Sequence, residues 1–293
     1  MGTPFDSLNL HLLKRAGFEQ RWQETSQGRV HFLVGEGSGD LPPVVLMAGL
    51  GSRGTHFRRC VGHLLHRVRR VILPDLPGHG HSEIPADGLT GPSLQAGTLE
   101  ALRELLHQDP AVILGNSLGG FMAVRHALIH PQDVLGLLLV SPGGAWMDVD
   151  QIRPFYDRFR LESHADALQL IDAVFAGSYT GLRHVLAWGA RRQLGLAPTR
   201  SLIDSVEQSY LLSREELSGV TQPVRLLWGT ADGVAPDDQF DVFHQGLPDG
   251  TRVERPHDYG HSPYLERPRD LAERLLAFIE EEVLGPTSEA VPA

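Results

Sequence analysis

Seven short apolar segments rich in β-branched residues recur along the chain, each bounded by turn signals. They are RVHFLV (29–34), PVVLMA (43–48), RRVILPD (69–75), AVILG (111–115), LGLLLVS (135–141), PVRLLWG (223–229) and TRVERP (251–256). In the first, Val30, Phe32 and Val34 alternate with other residues, which predicts a strand with one face half exposed. VVLM, AVIL and LLLV are apolar at every position, as parallel strands covered on both faces must be. In the gaps the period changes from two to that of a helix. Val61, Leu64, Leu65 and Val68 share one face, and so do Leu94, Thr98, Leu102, Leu105 and Leu106. The helix that opens at Leu118 and Met122 runs to His130, before Pro131, and Leu271, Leu275, Phe278 and Ile279 form a last amphipathic stripe ahead of a polar tail expected to fray.

Strand alternating with helix predicts an α/β fold with a largely parallel sheet. One region breaks the rhythm. From about Asp148 to Val220 the pattern is helical throughout, with ADALQLIDAVFAG and GLRHVLAWGARRQLG as its clearest segments, and strands resume at Pro223. The economical reading is a helical insertion at 145–220 into a core built from 1–144 and 221–293.

Composition narrows the function. The chain has 293 residues and a net charge of −10, which argues against a general nucleic-acid binder. The basic cluster Arg58, Arg59, Arg67, Arg69 and Arg70 is therefore expected to be a solvated face. Cys60 is the single cysteine, so an internal disulfide and a multi-cysteine metal site are both excluded. The start, MGTPFDSLNLHLLKRAG, has no basic segment followed by a long apolar one, and no apolar run reaches the ~18 residues of a membrane span. A cytoplasmic protein is expected.

The chemistry gathers around one stretch, VILGNSLGGFMAV (112–124). Gly115-Asn116-Ser117-Leu118-Gly119 fits G-x-S-x-G and lies between a strand and a helix, the context that pattern requires. A serine hydroxyl is a poor nucleophile near neutral pH and needs a base held by an acid. Asp232 follows the strand VRLLWG, and His261 follows TRVERPHDYG ahead of the last helix, so the order along the chain is Ser117, Asp232, His261. His257 is the nearest rival base, and Asp148, Asp237 and Asp238 are rival acids. His63/His66 and His126/His130 have helical spacing, but no carboxylate motif completes a metal site at either pair. An oxyanion hole needs two backbone N–H groups. Leu118, directly after the serine, and Leu50, in the glycine-rich AGLGSRG (48–54), are the expected donors.

With these residues placed, nearly the whole chain resembles the α/β-hydrolase fold family. DLPGHGHS (75–82) is similar to its loop after the fourth strand, GNSLGG to its nucleophile elbow, WGTADGVAP to its acid loop and GHSPYLERP to its histidine loop. The resemblance implies an eight-stranded, mostly parallel sheet with flanking helices, and a helical cap at 145–220. It also implies a Ser117–His261–Asp232 triad working without cofactor or metal on a small ester or related acyl substrate. There are two departures from the family pattern. Ala48-Gly49 stands where many members have His-Gly, and Asn116 stands where histidine is common. Asparagine there resembles several carbon–carbon bond hydrolases of ring-cleavage products, which supplies an alternative function. A low-turnover ligand-binding protein of the same fold is a third reading. Serine at 117 argues against the branches that use an aspartate nucleophile. Phe155, Phe159, Phe175, Leu186 and Trp188 are expected to line an apolar pocket under the cap, which favours medium-sized apolar acyl groups.

Overall fold

The computed structural model describes residues 4–175 and 179–285, so the tail beyond Gly285 lies outside the described residues. Eight strands form one sheet: β1 (Glu19–Thr25), β2 (Gly28–Glu36), β3 (Val44–Met47), β4 (Arg70–Pro74), β5 (Ala111–Asn116), β6 (Val134–Val140), β7 (Val224–Leu227) and β8 (Arg252–Glu254). Their spatial order is β1-β2-β4-β3-β5-β6-β7-β8. β1 pairs antiparallel with β2 and β2 with β4, while every pairing from β4 through β3 to β8 is parallel.

Twelve α-helices among the described residues complete the fold, joined by shorter 3-10 and π turns. Those of the core are α1 (Pro4–Arg15), α2 (Arg58–Leu64), α3 (Gly91–Leu106) and α4 (Leu118–Ile129). Between β6 and β7 come α5 (Val149–Tyr156), α6 (His164–Phe175), α7 (Arg183–Leu194), α8 (Ala197–Asp204) and α9 (Arg214–Ser218). The chain closes with α10 (Asp237–Gly246), α11 (Pro263–Glu266) and α12 (Pro268–Phe278). No described helix is long and apolar enough to cross a membrane.

The unbroken apolar runs have a simple cause. In β3, Val45 and Met47 enter the core beneath α3, α4 and α10, while Val44 and Leu46 enter the one beneath α2 and α12. β5 divides in the same way, with Ile113 on one side and Val112 and Leu114 on the other. Burying both faces removes apolar area from water at roughly 25 cal/mol per Å² on each side of the sheet.

One expectation changes here. β2 is not half exposed: Val30 through Gly35 are all buried, because α1 and the Phe18 ring cover Leu33 and Gly35, and β1 with the 75–82 loop covers His31. β1 itself gives no periodic signal, since EQRWQET is a polar edge strand with mostly exposed side chains. Within 145–220, Leu202, Leu212, Leu217 and Val220 belong to the main core, Leu161, Ala167, Ile171, Phe175, Ala187 and Leu194 form a small core among α6 and α7, and Met147, Ile152 and Leu211 form another. The basic cluster is dispersed by pairing, with Arg67 on Glu280, Arg69 on Asp109 and Arg70 on Glu36 and Asp109.

Candidate active site

The strand order reverses between β3 and β5, whose C-terminal ends lie side by side with Met47 opposite Gly115. Such a switch point opens a crevice beyond the strand ends. The 48–54 loop leaves β3 there, and Ser117 leaves β5 directly beside it. Ser117 is held at φ 54°, ψ −122°, a conformation L-residues rarely adopt. The flanking glycines make that turn possible. A Cβ at Gly115 would lie 2.6 Å from Gly119 O, and one at Gly119 would lie 2.4 Å from Met47 O. The carbonyl of Ser117 accepts from the N–H groups of Gly120, Phe121 and Gly143, which pins the turn from two sides.

Asp232 and His261 meet. The Nδ1–H of His261 donates to Asp232 Oδ2 at 2.8 Å, and Asp232 Oδ1 accepts from the amides of Val234 and Ala235 at 2.8 and 3.1 Å. Burial by itself would raise the Asp232 carboxyl. The adjacent His261 ring and these amides outweigh it and hold the group below the usual carboxylate range. An ionised carboxylate can only accept, so the proton of a neutral His261 sits on Nδ1 and leaves Nε2 with its lone pair. His261 and Ser117 both line one cavity of about 110 Å³, and so do Leu50 and Leu118. Neither the Leu50 nor the Leu118 amide donates to a protein group among the described residues.

The rivals lie elsewhere. His257 is exposed and contacts Thr230, Asp237 pairs with Arg255 on the surface, and Asp148 and Asp238 are solvent-facing helix starts. His126 is buried, and burial pushes its pKa down to about 3, so it is a neutral core residue. Among the described residues, His31, Asp75 and His81 bring donor atoms close enough to grip a cation. Asp75 is already engaged without one, since Oδ1 accepts from Gly54 N and Oδ2 from His31 Nδ1 and the His81 amide. This cluster ties the 75–82 loop to β2 and to the 48–54 loop.

A model of the alpha/beta hydrolase fold matches residues 42–268. The chain belongs to the α/β-hydrolase fold family. A pimeloyl-[acyl-carrier protein] methyl ester esterase from Methylococcus capsulatus is 31% identical over 256 residues, 83% of this chain and 97% of the relative. An esterase from Exiguobacterium antarcticum superposes with a TM-score of 0.72 at 20% identity, over 89% of this chain and 99% of that one. A meta-cleavage product hydrolase from Pseudomonas fluorescens IP01 gives 0.71 at 18%, over 88% and 96%. At such identities the two structures show the shared α/β-hydrolase fold and nothing finer.

Within this hydrolase fold the expected pocket residues divide. Phe155 and Phe159 line the cavity. Phe175 and Leu186 do not, because they pack in the small core between α6 and α7, where Phe175 meets Tyr179 edge-on. Trp188 is 53% exposed on the outer side of α7 with Arg192 over its ring. The cavity takes its remaining walls from residues that the sequence pattern did not single out, among them Phe121, Leu202, Ile203 and Gln239. Helical periodicity marks an apolar side chain as buried but not what it is buried against.

Proposed function

We propose that this protein hydrolyses carboxylic esters through Ser117, His261 and Asp232, with the helical segment 145–220 acting as a cap. The observation that carries the reading is the strained Ser117 facing the same cavity as a His261 whose Nδ1 is bound to a buried carboxylate. His261 Nε2 takes the serine proton as Oγ attacks the ester carbonyl. Asp232 keeps the ring in the right tautomer and stabilises its charged form. The Leu50 and Leu118 amides receive the oxyanion, His261 returns the proton to the departing alkoxide, and water then cleaves the acyl-enzyme by the same steps in reverse. The relative that acts on a methyl ester supports this chemistry, and the cavity's apolar wall suits medium-sized apolar groups.

The carbon–carbon alternative was motivated by Asn116. That side chain donates to Val140 O at 2.9 Å and to His261 O at 2.8 Å, so it joins the end of β5 to the neighbouring strand and the histidine loop. Its presence is accounted for by this scaffold role, which leaves ester hydrolysis as the better-supported reading. The test is Ser117→Ala on a ladder of aryl esters beside vinylogous diketones. Ester turnover is expected to fall by at least about 10³-fold, with loss of fluorophosphonate labelling. Near-full activity and persistent labelling in the variant would overturn the assignment.

A further inference from the structure

The cavity beside Ser117 is apolar along most of its wall, and no lysine, arginine, aspartate or glutamate lines it among the described residues. It nevertheless presents two carboxamides, Gln95 and Gln239, and two phenols, Tyr156 and Tyr210. Gln239 is the most demanding of these. It lies in the first turn of α10, is 3% exposed, and its backbone N–H is held by Asp238 Oδ1. No side-chain hydrogen bond to another described residue occupies its amide, which borders the cavity space instead. A carboxamide facing the cavity is hydrated when the site is free, and a substrate that displaces that water must replace its hydrogen bonds or leave the amide unpaired. Gln239 also borders a second, outer cleft with Trp146 and Ser213, so a group reaching it would lie where the apolar cavity meets that cleft.

We propose that Gln239 is a specificity-determining residue, whose carboxamide hydrogen-bonds an uncharged oxygen function interrupting the apolar part of a neutral ester. No cationic residue lines the inner cavity, and in the outer cleft Arg214 is set against Asp238 and Asp241, which disfavours a substrate whose distal end is a carboxylate. The volume of about 110 Å³ sets the scale of the apolar portion at roughly one small ring or a short chain. A site built to hydrogen-bond an oxygen discriminates against the all-carbon analogue, since the amide is then left unpaired. This inference rests on the ester-hydrolase reading for its chemistry and on the cavity alone for its recognition.

The experiment is an ether scan. 4-Nitrophenyl hexanoate is compared with isosteres in which one chain methylene, moved outward from the carbonyl, is replaced by oxygen, each rate being normalised to spontaneous hydrolysis. In the wild type, one position is expected to raise kcat/KM over the all-carbon ester by about five- to tenfold, the scale of one net hydrogen bond. Gln239→Leu removes the donor, and Gln239→Glu replaces it with an acceptor-only carboxylate, so both should abolish that preference. Gln239→Met repeats the apolar change should the leucine variant fold poorly. The same chains are also offered as unhydrolysable ketones, with CH₂ in place of the ester oxygen, and read as ligand-induced shifts in Tm. A flat scan in both readouts, or a preference that survives in the variants, overturns the role of Gln239. Turnover of no ester by the wild type overturns the ester reading instead, and the ketone scan then still decides on Gln239.

Discussion

The helical segment between β6 and β7 has two halves, which meet the site in different ways. α5, the short turn after it and α8 contribute side chains: Phe155, Phe159, Leu202 and Ile203 form wall. α6 and α7 contribute mainly backbone and a small core of their own. The C-terminal carbonyls of α6 accept from both loops that carry the His–Asp pair, Ala173 O from Gly233 N at 2.9 Å and Val174 O from His261 N at 2.8 Å. The same small core packs against Leu50, and Gln193 at the end of α7 accepts from Arg53 in the loop beside it. On the proposed ester-hydrolase reading, one half shapes what enters and the other fixes where the reacting groups stand. Loosening α6 would then release the histidine loop.

The sharpest way to break this comparison is at the pair the α6 half holds. Asp232→Asn should lower kcat by about 10³–10⁴-fold, since the amide no longer enforces the required tautomer of His261. It should also change the acid response. The folded Asp232 carboxyl lies below its unfolded value of about 3.9, so its stabilisation is complete above that pH and is lost as pH falls through the folded value. The Tm gap between wild type and variant is thus expected to be widest above about pH 4 and to close on acidification. A gap independent of pH would show that the carboxylate stabilises nothing. Next in size is Gly260→Val. Its Cβ would come 2.4 Å from Val174 O, forcing the histidine loop off the end of α6. A displacement of about 1 Å there should cost around 10²-fold in kcat, with Tm falling by about 3–10 °C. If kcat held while Tm fell, α6 would support the fold without positioning His261.

Legibility in the sequence follows the same division. Strands buried on both faces announce themselves in unbroken apolar runs such as VVLM and AVIL. The two edge strands carry less: β8 has only Val253 between charged residues, and β1 is polar with mostly exposed side chains, so neither encodes a buried face. Ser117, Asp232 and His261 were marked by local turn chemistry at strand ends, where glycine and position restrict the residue choice. The docking of α6 left no pattern of its own, because carbonyl oxygens carry no residue identity. Its trace is indirect, in Gly233 beside Asp232 and Gly260 beside His261, where an added Cβ would press on Ala173 at 3.0 Å and meet Val174 O at 2.4 Å. Gln239 was equally hidden, as one polar residue in the polar first turn DDQF of a surface helix.

The smallest expected effects test the line between the two halves. Phe159→Ala removes a ring from the cavity wall, and the larger space should shift KM for medium-length acyl esters by about three- to tenfold, with kcat little changed because no reacting group moves. Trp188→Ala removes an even larger ring from the same inserted segment. That ring lies on the outer side of α7 and touches Arg192 rather than the cavity. Its loss should leave kcat and KM within about twofold and Tm within about 2 °C, the usual range for a surface substitution. Steady-state kinetics over a chain-length ladder reads both variants in one experiment. Equal KM shifts for the two would mean that α7 reaches the substrate, and the division between a wall-forming half and a positioning half would have to be redrawn.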